Sequence, residues 1–155
     1  PKKMKSILAR ILTIIFFILS IIHFYWSLGG KWGFEIAIPS NEQGIKILKP
    51  STIDCIVIGS LLLLFGFVYH FSQKPLKNKI LDSIRNLMLW TIPIIFLIRS
   101  IGDFRFVGFF KQVTETEFAS LDTTFYSPLC LIIAVIGISY LVIKTTKKNN
   151  SGFDQ

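Results

Sequence analysis

Ile7-Leu-Ala-Arg-Ile-Leu-Thr-Ile-Ile-Phe-Phe-Ile-Leu-Ser-Ile-Ile-His-Phe-Tyr-Trp-Ser-Leu28 decides the fold. Its only full charge, Arg10, lies near the start, and His23 lies near the end. Crossing a hydrocarbon layer of about 30 Å takes about 20 mostly apolar residues. The stretch is therefore predicted to be a spanning helix over about 7–28. Lys2, Lys3 and Lys5 ahead of it resemble the basic head of a secretory leader. However, the apolar run exceeds the usual ~7–15 residues and no clean small-residue cleavage site follows, so the helix is expected to be retained.

Three further segments read the same way, at about 53–71, 80–101 and 125–143. The third has a short apolar centre, Leu87 to Ile98, bracketed by Arg85 and Arg99. It spans only if the helix continues into its flanks and the arginines reach back to the headgroups. Pro93 is a candidate kink. The chain has 155 residues, of which 52% are hydrophobic and 17% charged, with a mean hydropathy of +0.60. That composition excludes a disordered chain and argues against an ordinary soluble domain. The expected fold is all-α: an integral membrane four-helix transmembrane bundle, one domain over 1–155, with a frayed tail at 147–155. Gly59, Ser60, Gly66, Gly137 and Ser139 are expected to let helices approach closely, and Gly59 and Gly66 are spaced to share a face.

Basic residues set the orientation. The N-terminal stretch, the loop at 72–79 with Arg85, and the C-terminal stretch carry eleven Lys and Arg; the loops at 29–52 and 102–124 with their flanks carry six. The positive-inside rule places both termini in the cytoplasm and the two long, aromatic-rich loops outside, in a bacterial cytoplasmic membrane. The net charge of +8 is explained by this distribution. No nucleic-acid motif accompanies it, so the expected partner is the lipid bilayer and not nucleic acid; the sequence leaves a homo-oligomer open.

Polar groups gather at one depth. His23, Tyr25 and Trp26 end the first helix, and Asp54 and Cys55 begin the second. Arg99, Asp103 and Arg105 end the third, and Asp122, Tyr126 and Cys130 begin the fourth. Polar groups near hydrocarbon are costly and tend to face inward in pairs. The layer reads as one outer site, with His23, Trp26, Arg99, Asp103, Arg105, Asp122 and Tyr126 as ligand-binding candidates. The plainer reading makes them anchors: Arg99 and Asp103 as an i,i+4 ion pair, and Asp122 as a cap ahead of Pro128 in a first helical turn. Neither cysteine belongs to a CxxC motif. Thiol-to-quinone enzymes built on four membrane helices typically use one, so Cys55 and Cys130 read either as packing residues or as a redox pair with a quinone cofactor. No catalytic motif is present, and no spacing calls for a metal site.

Three blocks are more distinctive than their hydropathy. They are His23-Phe-Tyr-Trp-Ser-Leu-Gly-Gly-Lys-Trp-Gly33, Arg99-Ser-Ile-Gly-Asp-Phe-Arg-Phe-Val-Gly-Phe-Phe-Lys111 and Phe118-Ala-Ser-Leu-Asp-Thr-Thr-Phe-Tyr-Ser-Pro-Leu-Cys130. In order and spacing the chain resembles the bacterial membrane-protein family known as domain of unknown function 3995. The resemblance implies a small four-helix membrane protein and names no reaction. Asp54 and Cys55 lie outside the blocks and gain nothing from it.

Three functions remain open. In the first, Arg99 and Arg105 hold a small anionic or lipid-like ligand, Asp103 and Asp122 orient them, and Trp26 and Trp32 pack an apolar tail. In the second, the protein is a membrane-embedded enzyme with His23, Asp122 or Cys130 as catalytic candidates, or with Cys55 and Cys130 passing electrons to a quinone. In the third, it is a structural or protein-binding subunit.

Overall fold

The computed structural model describes residues 2–74 and 76–150. Helix α1 is Lys2–Ser27, α2 is Thr52–Phe71, α3 is Lys79–Ile101, the short α4 is Glu117–Leu121, and α5 is Ser127–Asn150. Helix α4 runs into α5 through one π-helical turn, Asp122–Tyr126. Counting that run as one, four helices are long and apolar enough to cross a membrane, and the described residues contain no strand.

The faces show which solvent each helix is built for. On α1, Ala9, Leu12, Phe16 and Ser20 are buried at helical spacing. On the opposite face, Ile11, Ile14, Ile18 and Ile21 are 38–66% exposed. A water-facing stripe would be polar; a stripe of isoleucine suits lipid. The chain is a multi-pass membrane protein.

Between apolar helices in lipid, association comes from close packing and interhelical hydrogen bonds. Helix α1 packs against α2, and α3 against α5, while α1–α5 and α2–α3 close the ring. Cys55, Gly59, Leu62, Gly66 and Tyr69 form the buried seam of α2. A Cβ at Gly59 would meet the Phe24 ring at 3.2 Å, and one at Gly66 would strike the Phe17 ring. Ser20 Oγ donates to the Gly59 carbonyl at 2.7 Å. The glycines thus admit α1, and the carbonyl one of them exposes is used. In the other pair, Gly137 of α5 faces Pro93 of α3, where a Cβ would come within 2.8 Å of the proline ring. Helix α3 runs unbroken through Pro93. In the centre, Phe16 stacks on Tyr69 at 6.0 Å and tilts against Phe96 at 5.4 Å, and Tyr69 meets Tyr140 edge-on at 5.7 Å. One aromatic cluster therefore joins all four long helices.

Arg85 closes the short α2–α3 turn. Its Nη1 donates to the carbonyls of Phe71 at 3.1 Å and Lys74 at 2.7 Å, and its Nη2 pairs with Asp82. The last carbonyl of α2 and one in the turn beyond it thereby gain a partner that the helix itself cannot supply. At the opposite end lie both long loops; that end is called the loop end.

Three expected boundaries move. Helix α1 begins at Lys2 rather than near 7. The fourth spanning run begins at Glu117 rather than near 125, because Thr116 Oγ1 caps it by accepting from Ala119 N at 3.1 Å. Pro128 therefore stands inside a continuous helical run and not in its first turn. It has no N–H for the carbonyl four residues back, and its ring crowds that carbonyl; the turn ahead of it is wound wide, with Ser127 N–H bonded to the Asp122 carbonyl. Of the tail expected to fray, 147–150 continue α5, and 151–155 lie outside the described residues.

Candidate functional site

The expected polar layer divides into two places. One is a charge cluster where α3, α5 and the second loop meet. The other is a pocket between α1, α2 and the first loop.

Asp122 is the centre of the cluster and is fully buried. One carboxylate oxygen accepts from Arg99 Nη2 at 2.9 Å. The other accepts from Gly108 N at 2.7 Å and from Lys111 Nζ at 3.2 Å. Lys111 also donates to Thr123 Oγ1 at 2.6 Å and to the Gly108 carbonyl at 3.0 Å. Its side chain is only 2% exposed, whereas that of Arg99 is 33% exposed. Two cations therefore surround one anion. Arg99 Nη1 is buried with no hydrogen-bond partner, as is the hydroxyl of Ser127.

The second loop is shaped to bring Gly108 and Lys111 to Asp122. Gly102 (φ +93°) and Gly108 (φ +91°) pass so closely that a Cβ on either would run into the other's backbone surroundings. Phe109 N donates to the Ser100 carbonyl at 2.9 Å, tying the returning strand of loop to the end of α3. Asp103 stitches the turn from inside. Its Oδ1 accepts from the backbone N–H of Arg105, Phe106 and Val107 at 2.7–2.9 Å. Partial desolvation pulls the Asp103 carboxyl upward, but these N–H bonds outweigh it and hold it below its ordinary pKa.

This arrangement corrects two pairings. The i,i+4 ion pair between Arg99 and Asp103 does not form, because Asp103 is turned back on its own loop. Nor does Asp103 orient Arg105, whose guanidinium lies over the Phe106 ring at 5.0 Å. Arg105 is not drawn into the cluster. Tyr126 stacks on Phe118, eight residues earlier in the same run, at 6.1 Å.

His23 and Trp26 belong to the pocket, which has a volume of about 170 Å³. Phe34, Ala37 and Ile38 of the first loop wall it on one side; Asp54, Cys55 and Ile58 of α2 wall it on the other. His23 Nδ1 donates to the Leu19 carbonyl at 2.8 Å. A carbonyl only accepts, so in the neutral ring the proton is on Nδ1 and Nε2 is left as an acceptor. Trp26 is fixed by Nε1 donating to the Trp32 carbonyl at 2.8 Å, and its ring meets those of His23 and Phe34. Asp54 forms a capping box with Ser51, accepting from its N–H at 2.7 Å and its hydroxyl at 2.8 Å.

Cys55 lines the pocket while Cys130 starts α5, and both are free thiols. No group of metal-ligating side chains occurs among the described residues. Lys111 is the residue that reading the sequence did not single out. Nothing in the sequence separates it from the other loop lysines; the folding of the loop around Gly102 and Gly108 carries it to Asp122.

No curated protein and no solved structure matches the chain. Residues 16–137 take in both the cluster and the pocket; they match the family described as "Protein of unknown function (DUF3995)", and the chain belongs to that family, as the three blocks had implied.

Proposed function

We propose that the protein is a membrane-embedded binding protein whose loop end takes a small anionic group, such as a lipid phosphate or a carboxylate, on Arg99. One observation carries this reading. Asp122 neutralises only one of the two cations around it, and Arg99 Nη1 has no partner. A guanidinium suits an anion because its donors form a fork matching two oxygens. A third of the Arg99 side chain is exposed although Nη1 itself is buried, so an anion would reach Nη1 as the guanidinium turns outward, while Lys111 is only 2% exposed. Lys111 thus acts as fixed positive charge and Asp122 as the group that aims the fork. The reading places both termini in the cytoplasm and the loop end on the outer face of a bacterial cytoplasmic membrane, since the excess of Lys and Arg lies at the other end.

Native mass spectrometry of gently extracted protein tests the proposal. Wild type is expected to carry an anionic mass, dioleoylphosphatidylglycerol serving as the added probe. Arg99→Ala should lose it, and Arg99→Lys should hold it less well. Full retention in folded Arg99→Ala would overturn the reading.

A further inference from the structure

We infer that the pocket between α1 and α2 is a second, separate site, for a single neutral ring bearing a hydroxyl: a phenol or hydroquinone head. A dry cavity of about 150 Å³ accepts a benzene molecule, and this pocket measures about 170 Å³. It is the space of one substituted ring. The walls suit such a ring, since Trp26 and Phe34 offer aromatic surfaces held edge to face at 5.7 Å.

The polar groups then select the substituent. No Lys or Arg lines the pocket, so it does not share the anion chemistry of the Arg99 cluster. Its nitrogen and carboxylate groups, His23 and Asp54, are acceptors, and the Cys55 thiol is only a weak donor. The Leu19 carbonyl fixes the His23 ring with Nε2 as its lone-pair end. The carboxylate of Asp54 is held at the rim by Ser51. A ligand hydroxyl donating to His23 Nε2 satisfies that acceptor while its ring fills the aromatic space. The pocket and the cluster lie on different helix pairs, so this inference stands independently of the anion reading.

Ligand-observed fluorine NMR with protein in lipid nanodiscs tests it, with 4-fluorophenol as the probe, 4-fluorotoluene as the analogue lacking a donor, and empty nanodiscs as background. Wild type is expected to show saturable binding of 4-fluorophenol about fivefold tighter than of 4-fluorotoluene, the magnitude of one net hydrogen bond. His23→Phe, which keeps a ring but removes the acceptor, should abolish that preference. Ala37→Leu, which fills the pocket from the loop side, should abolish saturable binding of both. A hydroquinone carrying a prenyl tail that competes with 4-fluorophenol would assign the ring to a lipid-borne molecule; competition by the tailless hydroquinone alone would assign it to a free one. Absence of saturable binding in wild type, an equal affinity for the two probes, or unchanged binding in folded Ala37→Leu would overturn the inference. Arg99→Ala should leave all these signals unchanged.

Discussion

At the residue scale, Asp122 has the greatest leverage. Removing one partner of a buried ionic group leaves the other charges uncompensated and costs about 3–5 kcal/mol. Asp122→Ala should therefore lower thermal stability in detergent by that order. Lys111→Met should cost less, because Asp122 keeps Arg99 and the Gly108 N–H. The double variant should be more stable than Asp122→Ala alone, since it no longer buries an unpaired ammonium; a melting series of the three variants checks the order. Asp103 acts differently, through its loop. Its folded pKa lies below the ordinary carboxylate value, so the stitch is intact above that ordinary value and is lost as pH falls through the depressed one. Amide protection at Arg105–Val107, taken relative to the intrinsic exchange rate at each pH, should fall on acidification in wild type and be low at all pH in Asp103→Ala. These two acids also mark how far sequence reading reaches. Arg99 and Asp103 sit at a spacing that permits a local pair, whereas Arg99 and Asp122 are 23 residues apart and meet only through tertiary packing. Lys111 looks like any solvated loop lysine until the loop is folded around Gly102 and Gly108. Asp54 was legible in principle, because Ser51 three residues earlier spells a capping box.

At the element scale, the four spanning helices were readable because lipid-facing positions must be apolar, so composition alone exposes them. The short α4 was not, since its polar first turn, Thr116 to Ser120, resembles loop. Two tests belong here. Gly102→Ala would place a Cβ against the Val107 carbonyl at positive φ, and it should cost more than about 1 kcal/mol while leaving helix content unchanged by circular dichroism. The π turn at Asp122–Tyr126 carries one residue more than an α turn in the same advance. Each helical residue rotates the chain by about 100°. Deleting Thr124 should restore α geometry and swing Asp122 away from Arg99 and Lys111 while α5 itself remains. Its loss of stability should approach that of Asp122→Ala.

At the scale of the whole molecule, the proposed orientation is open to direct labelling. A cysteine placed at Gln43 in a Cys55→Ala, Cys130→Ala background should react with impermeant maleimide on intact cells, and one at Thr146 only after lysis; the reverse pattern would invert the molecule. The position of Asp122 along the chain has a consequence for how the protein is made. Arg99 leaves the ribosome 23 residues before Asp122, its one ionic partner among the described residues, and Lys111 leaves it 11 residues before. Until the last span is delivered, the inserting chain holds two cations at the edge of hydrocarbon with nothing to neutralise them. Release of the third span from the insertion machinery should therefore wait for the fourth. A nascent chain carrying a long polar linker after Thr114 should remain crosslinked to that machinery, and one carrying the same linker after α5 should leave it.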